Sequence, residues 1–463
     1  MGIKDIFSWI PEVIRPDDKK LNFNTRLKWT LIVLVAFFVL ANIPLYGLTN
    51  NALERFKYLA IIMGTDFGSI ISLGIGPIVM ASIILQLLTG AEIIRIDTST
   101  VEGKKFFQGL QKILVFFFIV FEASIYVLMN GLQAAEGLVG LVIFQLILGG
   151  LAIFYMNELS EKWGLGSGVS LFIAAGVSWR LFTSAFQFVD SQGQSCLSDF
   201  ANTACSGKIL VLIQSIINRY PVEFLSAFAA IVITVLIFLA VVWAQSLKVE
   251  IPLSYGRVRG YGIKWPLSFF YASVIPVILA AALVANLQLF GGMLENWLGH
   301  ATFLGHFVEG QAVSGLSYWL GHTNILDLAI HGGLLPKYAL QGLTHIISYM
   351  ILCTMFSLFW VKSSGMDAKS QARKIAQSGL QVAGFRQDIR ILESILERYV
   401  TPLTVMGGMA IGLLASFTNL LGALVSGTAI LLVIMIMYQF YQNIAQQYMT
   451  DMNPMMRKFI GSA

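Results

Sequence analysis

Ionisable side chains are rare in the long apolar segments of the chain, and the clearest are Glu122, Glu158 and Arg180. A charge inside a bilayer is costly, so such residues usually serve proton or ion transport. Glu158 and Arg180 lie near the ends of their segments, which leaves Glu122 as the single deep carboxylate. With only amides such as Gln86 and Asn286 in other segments, these groups are few for an ion pump.

Signals for enzyme chemistry are weaker. The glycine-rich GLGSGVS at 164–170 lacks the strand and helix of a nucleotide-binding unit, and its small residues better suit close packing of membrane helices. Four of the five histidines fall in one polar segment without the spacing of a zinc site: His300, His306, His322 and His331. The sequence therefore predicts no enzyme activity, no metal and no cofactor.

The composition indicates that these residues lie in a membrane protein, because 57% of the 463 residues are hydrophobic and only 12% are charged. Soluble proteins carry about 25% charged residues. The apolar residues occur in runs of about 20, the length that crosses a bilayer. We expect an all-α membrane protein with ten spans, at approximately 28–47, 69–90, 108–130, 137–157, 167–188, 224–247, 266–290, 341–361, 400–421 and 423–446.

The cationic residues indicate the orientation. If the N-terminus is cytoplasmic, 24 of the 30 Lys and Arg residues lie on the cytoplasmic side, in agreement with the positive-inside rule. We therefore predict a multi-pass protein of the cytoplasmic membrane with both termini in the cytoplasm. Five spans in 1–221 and five in 222–463 would invert the second half relative to the first, as in transporters built from inverted repeats.

Span 2 begins with a stretch that is weak as a helix, because glycine costs a helix interior about 1 kcal/mol and proline about 3. The residues responsible are Gly64, Gly68, Gly74, Gly76 and Pro77. Aliphatic residues at i, i+4 spacing share one face near these breaks, and a similar pair occurs in span 5: Ile71, Ile75 and Val79, then Val169 and Ile173. Core packing or lipid contact is the ordinary explanation, and a hydrophobic constriction that excludes ions by dewetting is the alternative.

Two loops on the predicted cytoplasmic side are basic, 248–265 between spans 6 and 7 and 362–399 between spans 8 and 9. Such loops suit an anionic partner such as RNA, although the same charges can serve orientation alone. The external loops 190–222 and 291–338 are long and poor in cations. Cys196 and Cys205 share the first of them, where a disulfide and two free thiols stay open as alternatives.

Several long motifs, in the same order along nearly the whole chain, resemble the SecY family of protein-conducting channels, in its archaeal and eukaryotic branch. These motifs are LKWT (27–30), LGIGPIV (73–79), GLGSGVSLFIAAGVS (164–178), KVEIPLSYGRVRG (248–260), VIPVILAAALVANLQL (274–289), SGMDAKS (364–370), GFR (384–386), RYVTPLTVMGG (398–408) and SGTAILLVIMIMYQFY (426–441).

The resemblance implies a clamshell of spans 1–5 and 6–10 around an hourglass pore. Secretory polypeptides would cross through the pore, and hydrophobic segments would leave sideways into lipid. By matching motif, aliphatic side chains of four spans form the narrow part, called the pore ring below: Ile75, Val79, Val169, Ile173, Ile275, Ile278 and Leu432. A plug helix at about 55–67 would seal the external side, with its hinge at Gly64, Asp66 and Gly68.

The lateral gate between spans 2/3 and 7/8 maps to Met80, Gln86, Glu122 and Asn286. The resemblance also implies SecE-like and small beta-type partner subunits, and signal sequences, unfolded secretory chains and the lipid bilayer as further partners. The ribosome or another cytosolic partner would contact the basic loops, at Arg257, Arg259, Lys374 and Arg386.

Two positions depart from the family pattern. Met80 stands where relatives often have a small polar residue, which predicts a smaller polar cluster in the gate. Asp66 stands where some relatives have a basic residue, so no partner is predicted for it. Two alternatives remain, an ion-coupled inverted-repeat transporter that depends on Glu122, and a scaffold or insertase without a continuous pore.

Overall fold

The computed structural model describes residues 11–17, 21–51, 53, 65–90, 93–94, 96, 100–188, 196, 205–255, 262–272, 274–308, 311–333, 335–377, 380–382 and 388–452. Within these ranges nine helices are long and apolar enough to cross a bilayer. A tenth apolar helix, Gly76–Gly90, is shorter. The predicted helical membrane fold with ten spans is confirmed.

The first five spans are α-helices, and a small sheet joins the segments between them. They are α1 (Phe23–Ala41), α2 (Gly76–Gly90), α3 (Val101–Leu128), α4 (Val139–Trp163) and α5 (Gly168–Phe186), and the sheet pairs β1 (Leu48–Asn51) with β2 (Leu132–Ala134). Thr100 caps α3 by accepting a hydrogen bond from the Gly103 N–H at 3.0 Å, with Glu102 in the first turn. Such a cap satisfies a backbone donor that a helix start leaves free.

The second half contains spans 6–10 and more structure between them. A short helix at the end of the first half, α6 (Lys208–Asn218), precedes them. The elements of the second half are α7 (Pro221–Ser246), β3 (Lys248–Tyr255), β4 (Gly262–Ser268), α8 (Ile275–Leu298), β5 (His306–Val308), β6 (Gln311–Ser314), α9 (Leu316–Leu320), α10 (Ile325–Ile330), α11 (Pro336–Ser363), α12 (Ala368–Gln377), β7 (Leu380–Val382), α13 (Ile389–Leu421) and α14 (Gly427–Met452). Pro221 and Pro336 each open a helix, where a missing N–H costs nothing.

Several predicted boundaries are wrong. Span 2 was expected from residue 69, but residues 67–75 lie in turns and the helix begins at Gly76. Span 7 was expected at 266–290, whereas β4 extends to Ser268 and α8 covers Ile275–Leu298. Hydropathy marks apolar residues but not the hydrogen bonds that decide where a helix begins, so apolar turns and strands were counted as helix.

The two basic loops are built on rigid supports. β3 pairs antiparallel with β4, from Lys248 opposite Ser268 to Ser254 opposite Gly262, and also with β7. Apolar residues beneath this sheet form a separate core with α12 and α13: Ile251, Leu267, Ala372, Leu392 and Leu396. The tips of both loops lie outside the described residues.

The main core lies at the centre of the helix bundle. Among the nine long helices of the described residues, α8 is the most enclosed, because 78% of its 18-residue apolar stretch is buried. It packs against α2 on one side and α14 on another, and α14 also packs against α5. The helices α2, α8, α14 and α5 are therefore neighbours in that order, and all four carry pore-ring residues.

Candidate functional site

Every residue of the pore ring belongs to one buried apolar cluster. Ile173 and Leu432 are fully enclosed, and Val169 and Ile275 are partly buried against the same cluster. The residues come from α2 and the turn before it, α5, α8 and α14, the four neighbouring helices described above. The structure thus buries the predicted ring residues, fully or partly, in the main apolar core on helices that neighbour one another.

The turns before α2 determine where Ile75 lies. Gly74 has a left-handed φ of +52°, which favours glycine, and the chain enters the helix two residues later. α4 allows the turns to approach closely, because a Cβ on Gly149 would lie 1.9 Å from the carbonyl oxygen of Ile70. These glycines let a non-helical segment reach the bundle centre.

The glycines of GLGSGVS serve close packing, as the sequence indicated. A Cβ on Gly168 would lie 2.5 Å from the Cα of Asn157 on α4. The Asn157 side-chain oxygen accepts a hydrogen bond from the Val169 N–H at 2.9 Å. This contact fixes the first turn of α5, and with it the position of Val169.

The predicted lateral gate is buried and polar at three of its four positions. Gln86, Glu122 and Asn286 are each at most 2% exposed, and Met80 is partly buried. The Gln86 Oε1, both Glu122 carboxylate oxygens and the Asn286 Oδ1 accept no hydrogen bond from the residues that the structure describes. Unsatisfied buried polar atoms cost about 1–3 kcal/mol each, so this region stores energy that rearrangement can release.

The helices at this gate are packed together. α2 contacts both α8 and α11. At the end of α2, a Cβ on Gly90 would lie 2.2 Å from the Phe359 ring of α11, so only glycine fits. On the other side the Gln111 side chain of α3 donates a hydrogen bond to Ser82 Oγ at 2.7 Å. The helices on the two sides of the predicted gate are therefore in contact in this structure.

Asp66 has a partner that the sequence did not reveal. Its Oδ1 lies 3.6 Å from Arg180 Nη2 on α5, 114 residues away along the chain. Gly68, two residues later, has a φ of +98°. The Asp66 carboxylate is 65% exposed, so the ion pair contributes little to stability, typically about 0–1 kcal/mol.

Some predicted site residues cannot be placed. Gly64 and most of the predicted plug at 55–67 lie outside the described residues, as do Arg257, Arg259 and Arg386. Lys374 is described, on the exposed side of α12, where its Nζ donates to the Gly365 carbonyl at 3.4 Å. The sequence left open whether Cys196 and Cys205 form a disulfide, and in the structure they do.

Sequence reasoning missed a charged cluster at the ends of α3 and α4. The Glu158 side chain, 6% exposed, accepts from Lys112 Nζ at 2.6 Å and from Lys162 Nζ at 3.3 Å. Both lysines also contact Glu12, which lies before the first span. Hydrogen bonds from Lys112 and Lys162 hold the pKa of Glu12 below its usual value, against the opposing effect of burial.

The backbone before α1 is held by the same cluster. The Val13 N–H donates to Glu158 Oε2 at 3.0 Å, and Lys162 Nζ donates to the Val13 carbonyl at 2.7 Å. Trp163 adds a hydrogen bond to the Ile14 carbonyl at 2.8 Å. Residues 11–16 form no helix, and these hydrogen bonds from α4 hold their backbone.

Comparison with known proteins gives consistent matches over the chain. The sequence model of the SecY family matches residues 69–441. The protein translocase subunit SecY of Methanothermobacter thermautotrophicus is 40% identical over 461 residues, covering 98% of each chain, and that of Methanocaldococcus jannaschii is 38% identical over 460 residues, also covering 98% of each. A solved protein-conducting channel at 36% identity superposes with a TM-score of 0.82, covering 97% of this chain and 98% of the other.

Proposed function

The chain belongs to the SecY family, and on that basis we propose how its own residues perform the work of a translocon. It is the pore-forming subunit of a protein translocase, a multi-pass membrane protein. The observation that carries our proposal is the convergence of the seven pore-ring residues in one buried cluster on four neighbouring helices.

The pore ring acts as an apolar seal that excludes ions around a translocating polypeptide. Aliphatic side chains offer no hydrogen bonds, so the ring neither selects nor traps the sequence that passes. A narrow apolar constriction excludes ions by dewetting, which lets the membrane stay sealed while the channel is idle. The ring residues lie on four different helices, so the ring can widen around a polypeptide when these helices separate and close when they return.

Hydrophobic segments leave through the gate between α2 and α3 on one side and α8 and α11 on the other. The buried oxygens of Gln86, Glu122 and Asn286 lack donors while the gate is closed. An opened gate would expose them to the water of the pore and relieve that cost. An apolar signal segment would then replace the lost helix contacts, and Met80 adds apolar surface on the same face.

The remaining assignments follow from the family. The halves 1–221 and 222–463 would move as the two sides of the clamshell, with residues 55–67 as the plug and both termini in the cytoplasm. A relative of this fold, Sec61, is known in a canine ribosome–channel complex and matches at 36% identity with a TM-score of 0.79. We infer that the ribosome meets this chain at Arg257, Arg259, Lys374 and Arg386, beside SecE-like and small beta-type subunits. Translocation needs no chemistry from this chain itself, so we propose that it is not an enzyme.

The test is ion leakage through the purified complex in planar bilayers. Replacing Ile75, Ile173 and Ile278 together by glycine should raise resting conductance, because the three substitutions remove most of the seal. The matched control replaces three exposed aliphatic residues on helices that pack beside the ring helices, Leu148 of α4, Leu236 of α7 and Ile351 of α11. Wild-type conductance in the ring variant would count against the ring.

The transporter alternative makes a different prediction for Glu122. An ion-coupled transporter should lose uptake of a small solute when Glu122 is replaced by glutamine. A protein channel should keep translocating, with only the ease of gate opening changed. Uptake of a small solute by the wild type that Glu122→Gln abolishes in a folded complex would therefore favour the alternative.

A further inference from the structure

The external region between α8 and α11 is a packed unit, which we call the external cap and which consists of β5, β6, α9 and α10. At one end the Phe307 N–H donates to Glu295 Oε2 of α8 at 2.8 Å. At the other, Ser226 of α7 donates to Asp327 Oδ1 at 3.1 Å. The cap is therefore held by hydrogen bonds to two spans, α7 and α8.

A buried histidine joins the cap to three further helices. The Leu320 carbonyl at the end of α9 accepts from His345 Nδ1 at 2.8 Å. Because a carbonyl only accepts, Nδ1 carries the proton, and Nε2 is free to accept from Asn419 Nδ2 at 3.3 Å. The Asn419 side-chain oxygen accepts in turn from the Thr428 N–H at 2.7 Å. This chain of hydrogen bonds connects the cap, α11, α13 and α14.

A small cavity of about 20 Å³ lies beside this chain. Its polar lining includes Gln288 of α8, His322 in the segment after α9, and Ser426 and Thr428 at the start of α14. The Ser426 Oγ and the Thr428 Oγ1 are buried and have no hydrogen-bond partner among the described residues, and Thr428 is only 1% exposed. A site for one water needs at least about 10–15 Å³ and two to four polar partners, and this cavity meets both conditions.

The cavity is also close to the pore ring along the helices. Thr428 precedes Leu432 by four residues on α14, and Ala281, which lines the cavity, follows Ile278 by three residues on α8. Residues three or four apart lie on the same face, about one helical turn from each other. The polar site therefore sits one turn to the external side of two ring residues.

We propose that this cavity binds one structural water, held by the hydroxyls of Ser426 and Thr428. The water completes the polar junction between the external cap and the helices α8 and α14. Through that junction the cap holds Ile278 and Leu432 in register in the closed ring. The water site stands on the cavity and its lining, and only the coupling to the ring rests on the proposed function.

The first experiment is a high-resolution structure of the complete translocon in nanodiscs. A density peak within hydrogen-bonding distance of the Thr428 hydroxyl is expected in the wild type and in Thr428→Ser, which keeps the hydroxyl. The isosteric Thr428→Val should lose the peak. No peak in the wild type, at a resolution that shows other buried waters, would overturn the water site.

The second experiment measures resting ion leak for the same variants. Losing one hydrogen bond to the water should shift the balance between closed and leaking states about three- to tenfold in Thr428→Val, while Thr428→Ser stays near wild type. The control is Thr404→Val, because Thr404 is equally buried and bonds its own helix through the Val400 carbonyl at 2.7 Å. Equal leak in the two valine variants would refute the coupling.

The two readouts separate the proposals. If the glycine variant of the ring does not leak but the water peak behaves as expected, the ring assignment fails and the water site stands. If the ring variant leaks but the peak is absent, the ring stands and the water site fails.

Discussion

Replacing Glu158 by glutamine should weaken the attachment of residues 11–16 and destabilise the first half of the protein. Glu158 is the centre of the charged cluster, with two lysines and the Val13 N–H on its carboxylate. Glutamine has the same shape and keeps an oxygen for the Val13 N–H. The substitution therefore removes the charge with little change in packing.

The magnitude follows from what each partner retains. Removing one member of a buried ion pair costs about 3–5 kcal/mol, because the other charge is left without compensation. Here Lys112 is 18% exposed and keeps its contact with Glu12, so its charge is not left alone. We expect a loss of about 2–3 kcal/mol in the free energy of unfolding, below the full cost of an uncompensated charge.

Thermal unfolding of the detergent-solubilised complex measures this loss. The midpoint should fall by about 4–10 °C, taking the cooperative unit to be roughly 200 residues. Glu161→Gln is the matched control, because Glu161 lies one turn along α4 on the exposed side and contacts Asn157 rather than a lysine. A double-mutant cycle with Lys112→Met should give a coupling energy of about 1 kcal/mol or more. A midpoint equal to that of Glu161→Gln would refute the reasoning.

Three further predictions concern the gate, the cap and the basic loops. Gly90→Leu should collide with Phe359 and favour the open gate, measured as stronger crosslinking of a signal sequence to the gate. Adding Phe359→Ala should reverse this effect, and crosslinking that stays high in the double variant would contradict the contact. Burial and the neighbouring His345 ring lower the pKa of His322 to about 3, so the unfolded chain binds a proton below about pH 6.5 while the folded state does not. Stability should therefore fall from pH 6.5 toward 3, by at most about 1.4 kcal/mol per unit, and His322→Gln should flatten the slope of the melting temperature with pH; an unchanged slope would show that other groups cause it. Reversing the charge of the basic-loop residues Arg257, Arg259 and Arg386 should weaken ribosome binding, more at low salt than at high salt. Unchanged affinity in a cosedimentation assay would exclude these three residues from the contact.

The sequence predicted what depends on local pattern. Hydropathy located the spans, and the family motifs named ring residues that lie in the buried apolar core or against it, while their role in a pore stays a prediction. It could not predict contacts between distant residues, such as Asp66 with Arg180 or Glu12 with Lys112 and Lys162. A single sequence contains no signal for such pairs, since each charge is as compatible with solvent as with a partner.

The external cap escaped prediction for a different reason. Its helices α9 and α10 have five and six residues, too short for a 3.6-residue period to be recognised. They persist because tertiary contacts replace the missing propensity. The Tyr318 carbonyl accepts from Gln341 at 2.9 Å, and the Asn324 side chain caps α10 through the Asp327 N–H at 3.1 Å.

The broken start of span 2 can now be explained by its hydrogen bonds. Non-helical backbone at membrane depth is tolerated only where protein or a water-filled cavity surrounds it, and the turns at 69–75 are almost entirely buried. Side-chain hydroxyls satisfy much of this backbone: Thr65 donates to the Ile71 carbonyl at 2.5 Å, Ser69 to the Asp66 carbonyl at 2.7 Å, and Ser72 accepts from the Gly68 N–H at 2.9 Å. A continuous helix would not need these three hydroxyls. The segment is therefore built to remain non-helical, with the left-handed Gly68 at one end and the buried Ile75 at the other.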